Sequence, residues 1–365
     1  MPHSGTANPL FDLLKSQIRR YEPGEVMRLF ALVAKERVNA LADVLARYIS
    51  TNLPEAIAKR NGVSDYRTNP YVLLTCASVM KLADPARFAD FLFNNKLYMG
   101  LETSFGKSIE AAILGFYPLD CEQSAKWADP PEKVAEAQSL VGLSREQKAK
   151  RRRQSVWREI DKSCVVGKRR YLISVKSGPN CINDTQVQAM TDAITTNHAK
   201  WLEQSKRTYP QVDGLDIIIG LTYGTERTTN NKENQILAKL MGTGFAEEDR
   251  RRFPGVLIAR KGRVTRVYRQ VGRGFWASIG CPSQPIESQF VFLEVLLALA
   301  KALNLAARQA DLETRINLKI QALSTALSGL MFPRKGLPTW VSGSFSDTEL
   351  FWFATALTAF YDEGI

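Results

Sequence analysis

Histidine is almost missing from this chain of 365 residues, which contains only His3 and His198. A Ser-His-Asp hydrolase, or a nuclease that pairs histidine with a metal, needs an imidazole at the reacting atoms. His198 lies in the polar stretch TTNHAKW, where a position on a helix surface is expected. The sequence therefore favours chemistry based on carboxylates and a metal ion.

Cysteine pairs and long apolar runs are also missing. The five cysteines are odd in number, widely spaced and without a CxxC motif, which argues against a disulfide framework and a zinc site and fits reduced thiols in the cytoplasm. The first residues lack the basic and then apolar order of a secretion signal. The most apolar segment, residues 290–307, is interrupted by Glu294 and Lys301, so we expect a buried helix and no membrane span.

Acidic residues are scarce in two stretches that hold much of the positive charge. The chain carries a net charge of +12. Residues 145–176 contain twelve Lys or Arg and three acids, and residues 250–273 contain nine Lys or Arg and no acid. Clustered cations are typical of proteins that bind polyphosphates, because each neutralised phosphate releases counterions. Two solvated basic faces are the alternative; an anionic membrane is disfavoured because neither stretch has a helical apolar stripe.

The hydrophobic pattern divides the chain into three zones. Residues 1–140 show helical periodicity with Pro, Gly and Asn breaks, and residues 286–365 return to helices. Between them, residues 141–285 contain short β-rich runs (YLISVKSG, LDIIIGLTYG, GVLIARKGRVTRVYRQV) around one helical segment. We predict an α/β core with helical N-terminal and C-terminal additions.

The stretch from Trp157 to Gly178 carries the candidate chemistry. Asp161 is followed thirteen residues later by Ser174 and then by Lys176. Strand alternation places Ser174 and Lys176 on one face and Val175 on the other. An acid near an acid-X-Lys strand is the layout of a metal-dependent nuclease, in which the lysine orients the attacking water. Because a serine hydroxyl is a weak magnesium ligand, such a site needs another carboxylate.

The segment GLETSFGKS, residues 100–108, offers that carboxylate. It fails as a phosphate-binding loop because five residues separate its glycines instead of four. We expect a helix that begins near Gly106, capped by Thr103 or Ser104, and that carries Glu110 in its first turns. Two further acids are reserve ligands: Glu159 and Asp184.

Together these phrases resemble a known group of nucleases. The order TSFGKSIE, EID and ISVKSG is similar to the PD-(D/E)XK superfamily, specifically to its type II restriction endonucleases. The phrases TNPYVLL, KSGPNCIND and FATALTAFYDEGI also look like that group. The resemblance implies a restriction-endonuclease-like core, a central mixed sheet flanked by helices. Where that group usually has Glu or Asp, this chain has Ser174.

The resemblance also implies a role for each residue. Asp161 would bind Mg²⁺ and link it to the scissile phosphate, with the backbone carbonyl of Val175 as a second ligand. Lys176 would position the nucleophilic water, and Glu110 would hold a water of the magnesium shell. Ser174 would contribute a hydroxyl at most.

DNA contacts are predicted in two places. The polar loop between residues 225 and 234 offers side chains that pair with base edges: Thr229, Asn230, Asn231 and Lys232. The basic hairpin near residue 262 is a candidate surface for positioning phosphates: Arg260, Lys261 and Arg263.

We therefore predict a cytoplasmic, magnesium-dependent type II restriction endonuclease that cuts double-stranded DNA at a specific site. A palindromic site would require a homodimer, with the helical zones as the expected interface. A cognate DNA methyltransferase would protect the host without forming a stable complex. The alternatives are a repair or recombination nuclease with the same core, and a non-catalytic DNA-binding protein in which Ser174 marks a decayed site.

Overall fold

A mixed sheet of six strands lies between helices in the computed structural model. The structure describes residues 23–59, 63–66, 69–114, 126–178, 181–225, 231–249, 251, 254–330 and 334–360. The strands are β1 (Lys162–Val166), β2 (Arg169–Lys176), β3 (Gly214–Leu221), β4 (Phe245–Glu247), β5 (Leu257–Ala259) and β6 (Thr265–Val271). The predicted fold class, a mixed sheet flanked by helices, is confirmed.

The strand order is β1-β2-β3-β6-β5-β4. The central strands β2, β3 and β6 are parallel, whereas β1, β5 and β4 add antiparallel pairs at the edges. All eight residues of β3 are buried, and its sequence GLDIIIGL is almost continuously apolar. This pattern is typical of a parallel strand covered on both faces.

Helices precede, interrupt and follow the sheet. They are α1 (Pro23–Phe30), α2 (Lys35–Ala58), α3 (Pro70–Val79), α4 (Pro85–Ile113), α5 (Pro131–Gln138), α6 (Arg145–Gln154), α7 (Asp184–Thr208), α8 (Lys232–Gly242), α9 (Arg273–Gly280), α10 (Val291–Ala310), α11 (Leu312–Ser328), α12 (Thr339–Ser344) and α13 (Asp347–Phe360). Short 3-10 helices lie at Val63–Tyr66 and Pro285–Ser288.

The two faces of β2 pack against different helices, as its alternation predicts. Leu172 joins a core cluster with α7 and α8, whereas Tyr171 and Ile173 join a second cluster with α2, α4, α9 and α10. Ser174 and Lys176 follow Leu172 with a period of two, so their side chains leave β2 on the α7 face.

The helix that carries Glu110 begins earlier than predicted. α4 starts at Pro85, and the Asp84 side chain caps it by accepting a hydrogen bond from the Ala86 amide at 3.0 Å. An Asp cap followed by proline is a strong start signal. Gly106 therefore lies inside the helix, where a Cβ would come within 2.3 Å of the Ser177 hydroxyl. The predicted start near Gly106, with Thr103 or Ser104 as its cap, is wrong; the glycine instead allows α4 to approach the end of β2.

Described helices from the first and last zones of the chain pack against each other. α10 lies along α2, with Ala298 and Ala302 fully buried. A third cluster joins α3 and α4 to α11 and α13, where the Trp352 indole donates to the Leu82 carbonyl at 2.8 Å. Residues 285–306 are long and apolar enough to cross a membrane, but one such helix is weak support for a span because core helices pass the same test.

Candidate active site

Asp161 is held at the start of β1 by two hydrogen bonds to β2. Its amide donates to the Ile173 carbonyl at 2.8 Å, and its Oδ2 accepts from the Val175 amide at 2.7 Å. The pairing of Lys162 with Ile173 places Asp161 opposite Ser174 when it is continued by one residue. The Asp161 carboxylate is therefore fixed beside the strand segment that carries Ser174 and Lys176, with 20% of its side chain exposed.

Ser174 is fully buried, and its hydroxyl has no hydrogen-bond partner among the residues that the structure describes. A buried polar group without a partner is uncommon in native proteins and costs about 1–3 kcal/mol. Ser174 faces the same side of the sheet as Asp161, because directly opposed residues of an antiparallel pair share a face. The hydroxyl is thus an available oxygen next to the carboxylate.

The carboxylate of Asp161 lies among three lysines. Burial raises the pKa of Asp161 above its ordinary value, and Lys176, the Val175 amide, Lys133 and Lys162 act in the opposite direction. The raised pKa means that desolvation outweighs these favourable interactions. Lys176 is the largest electrostatic contribution among them, which couples the two residues that the sequence pattern paired.

The backbone of Val175 presents its polar groups to the Asp161 side. The Lys176 carbonyl accepts from the Thr222 amide at 3.0 Å, just beyond the end of β3. Carbonyls of successive strand residues point to opposite sides, so the Val175 carbonyl points away from β3 and towards Asp161. The metal-ligand role of that carbonyl stays a prediction.

Glu110 is engaged elsewhere. Its Oε1 lies 3.5 Å from the Lys162 ammonium, which also contacts Asp129 Oδ1 at 2.6 Å. Lys162 is opposite Ile173 and so faces away from Ser174. Burial, and secondarily the charge of Glu110, raises the pKa of Tyr48. The structure therefore places Glu110 on the α4 side of the sheet, with Lys162 as the side chain that interacts with both Glu110 and Asp161.

The reserve carboxylates are also paired with cations. Glu159 lies 3.2 Å from Arg158, and Asp184, at the start of α7, forms an ion pair with Lys232. In the described part of the chain, no group of three His, Cys, Asp or Glu residues is arranged to hold a metal. Asp161 is the carboxylate that directly adjoins Ser174 and Val175.

This donor set suits a magnesium ion that has few protein ligands. Mg²⁺ prefers oxygen, and it is commonly held by one or two carboxylates together with waters and substrate phosphates. Asp161 supplies a carboxylate, Ser174 an unpartnered hydroxyl and Val175 a carbonyl. The residues present therefore fit the ion, provided that the phosphate and water supply the rest of its shell.

Lys133 adjoins the site and was not found from the sequence. Its ammonium donates to the Ile160 carbonyl at 2.6 Å and lies 3.8 Å from Asp161 Oδ1. It belongs to the first turn of α5. The pair Pro130-Pro131 signals where that helix starts, but nothing in the local sequence signals that the helix begins beside Asp161.

The described ends of the predicted base-reading loop lie at the same end of the strands as Lys176. β3 ends at Leu221, level with Lys176, and the chain then leads to α8. Thr229 and Asn230 lie outside the described residues. Asn231 precedes α8 with a positive φ of 65° and accepts a hydrogen bond from the Asn234 amide group. Lys232 begins α8 and pairs with Asp184, so its ammonium is already bound to a carboxylate.

The basic hairpin lies at the opposite end of the strands. Arg260, Lys261 and Arg263 are exposed in the turn before β6. β6 starts at Thr265, whereas Lys176 is level with the other end of that strand, at Val271. The seven residues of β6 span about 20 Å. The candidate active site and this hairpin are therefore at different ends of the sheet.

Several cations in the basic stretches stabilise the fold instead of facing solvent. Arg170 is fully buried and makes a two-pronged pair with Glu132 at 2.7 and 2.8 Å. Arg169 pairs in the same manner with Asp216 at 2.8 and 2.9 Å. The positive charge that a polyanion can reach is consequently smaller near β2 than the sequence count indicates, and the arginines of α6 provide much of it.

Part of the chain matches a known family. Residues 143–249 match the family model of the type II restriction endonuclease EcoO109I, a family of the PD-(D/E)XK restriction endonuclease superfamily. The predicted resemblance is thus confirmed over a range that includes Asp161, Ser174 and Lys176. Glu110 and Lys133 lie outside that range. A comparison with curated proteins gave no match.

Proposed function

We propose that this protein is a magnesium-dependent endonuclease of the type II restriction class, acting on a specific site in double-stranded DNA. The observation that carries the proposal is the placement of Asp161, whose carboxylate is hydrogen-bonded to the strand segment that bears Ser174 and Lys176. The match of residues 143–249 to a restriction endonuclease family supports the same reaction.

Each residue has a defined task in this proposal. Mg²⁺, when bound by Asp161, the Val175 carbonyl and the Ser174 hydroxyl, would neutralise charge on the scissile phosphate and lower the pKa of the attacking water. Lys176 opposes the effect of burial on the Asp161 pKa through its positive charge, and it would donate hydrogen bonds that orient the nucleophilic water. Glu110 helps through Lys162, whose charge it balances, and not as a direct ligand.

Recognition and assembly follow from the same function. Asn231 follows the end of β3 that is level with Lys176, and its amide would pair with the edge of an adenine. A palindromic target calls for a twofold homodimer, in which each copy supplies one catalytic edge. The protein would act in the cytoplasm beside a DNA methyltransferase that protects the host sequence, without a stable complex between the two.

Digestion of a sequenced plasmid, followed by mapping of the ends, tests this proposal. With Mg²⁺, discrete fragments with a common end sequence are expected, and EDTA should abolish them. The Asp161→Ala protein is the matched control for a contaminating nuclease. A smear of fragments would contradict site-specific cleavage and favour the alternative of a repair or recombination nuclease. Plasmid that stays intact but is bound would support the non-catalytic alternative with a decayed site.

A further inference from the structure

We propose that the pocket between α5 and α6 binds the sugar-phosphate backbone of the DNA strand beside the scissile phosphate. The inference rests on the proposed function, and it assigns the positioning of DNA phosphates to α6 instead of the hairpin before β6. The pocket has a volume of about 450 Å³, enough for a sugar with its phosphate.

The lining of the pocket has two chemical parts. Ala137 and Leu140 contribute apolar surface to the lining, which suits the C–H surface of a deoxyribose. Arg151, Arg152 and Arg158 also line the pocket. A guanidinium group can donate two hydrogen bonds to a phosphate, and Arg158 already contacts Glu159. The lining therefore fits a phosphodiester backbone better than a free inorganic anion, which has no apolar part.

The cations of α6 are free to bind a ligand. Arg151 and Arg152 are exposed, and neither forms an ion pair within the described residues. The one acid of the lining, Glu136, accepts a hydrogen bond from the Ser155 hydroxyl. Ser144 begins α6 with a capping box shared with Gln147, which fixes the start of the helix and hence the direction of its arginines.

Lys133 connects this pocket to the active site. It lines the pocket and also lies 3.8 Å from Asp161 Oδ1. Arg158 lies three residues before Asp161 in the chain. Phosphates of one strand follow each other at about 3.4 Å along the helix axis, so a strand whose scissile phosphate is at Asp161 would bring a neighbouring phosphate towards the pocket that Lys133 lines.

The proposal is tested by the salt dependence of DNA binding. Fluorescence anisotropy with a duplex of about 30 base pairs gives the slope of log affinity against log salt concentration. Divalent cations are omitted so that the DNA is not cleaved. For Arg151→Ala combined with Arg152→Ala, the slope should become shallower by about two units, one for each phosphate contact removed. Lys261→Ala combined with Arg263→Ala makes the same change in charge at exposed positions of the hairpin, the rival phosphate-positioning surface, and by this proposal it should keep the wild-type slope.

The outcomes separate this inference from the proposed function. Wild-type affinity and cleavage with an unchanged slope in the α6 variant would overturn the pocket alone. A flattened slope in the hairpin variant alone would also overturn the pocket proposal, because the hairpin would then be the surface that contacts the phosphates. An equal change in both variants would overturn it too, because the positive charge would then act without a localised binding site. If the wild-type protein neither binds nor cuts DNA, the proposed function itself fails. Thermal unfolding of both variants should match wild type, because all four side chains are exposed.

Discussion

Replacement of Ser174 by alanine tests whether its hydroxyl is a magnesium ligand or only an unsatisfied buried polar group. The Ser174 hydroxyl is fully buried and has no hydrogen-bond partner in the described part of the chain, so its removal should raise the free energy of unfolding by about 1 kcal/mol, the lower end of the penalty for such a group. If the hydroxyl also helps to hold Mg²⁺, the same change should lower cleavage at limiting Mg²⁺ by about 10-fold to 100-fold, as for other groups that support a metal.

Ser278 provides a matched control on α9. It too is fully buried, and its hydroxyl has no partner within the described residues. Ser278→Ala should gain similar stability and leave cleavage unchanged at every Mg²⁺ concentration. Denaturant unfolding measures the first effect, and cleavage rates across a Mg²⁺ titration measure the second. Higher Mg²⁺ should partly restore the Ser174→Ala enzyme, because the loss is one of metal affinity.

The reasoning is refuted if Ser174→Ala cleaves like wild type throughout the titration while it gains the same stability as Ser278→Ala. The hydroxyl would then be only a buried polar group. In that event a migrated carboxylate must complete the metal shell, and Glu110→Gln should lose most of the activity. The structure favours a loss of activity in Ser174→Ala over a loss in Glu110→Gln, because Glu110 is paired with Lys162.

The remaining predictions concern single residues. Asp161→Asn should abolish cleavage yet raise the free energy of unfolding at neutral pH, because burial raises the pKa of Asp161. This gain in stability should be present above the pKa of Asp161 in the folded state and vanish as the pH falls below its pKa in the unfolded state. Urea titrations at several pH values measure it. Lys176→Ala should stop cleavage with DNA affinity largely retained, and active enzyme would remove this lysine from the mechanism. Arg170→Ala should destabilise the fold by about 3 kcal/mol, because it removes a fully buried guanidinium together with its ion pair to the partly buried Glu132, whereas exposed Arg153→Ala should change stability by less than about 0.5 kcal/mol. Asn231→Ala should narrow the difference in affinity between cognate and random duplexes by about 1–3 kcal/mol, and an equal loss on both duplexes would mean that Asn231 does not read bases.

The sequence alone determined the local geometry of the candidate site. Strand alternation has a period of two, so ISVK was enough to put Ser174 and Lys176 on one face of β2. The short hairpin from Asp161 through β1 to β2 set the acid opposite Ser174, because few residues separate the two strands and the pairing is local. The lack of histidine and the residues around Lys176 also led to the nuclease family that residues 143–249 match.

Tertiary structure decided which distant side chains meet that geometry. Glu110 lies on a helix whose start was set at Asp84 and Pro85, and its packing on the other face of the sheet gave it Lys162 as a partner. Arg170 and the hairpin before β6 both belong to stretches that are basic in the sequence. Arg170 is nevertheless buried against Glu132, whereas the hairpin is exposed at the end of the strands opposite to Lys176. Lys133 reaches Asp161 only through the packing of α5. These placements depend on contacts between residues far apart in the chain, which neither periodicity nor charge counting encodes.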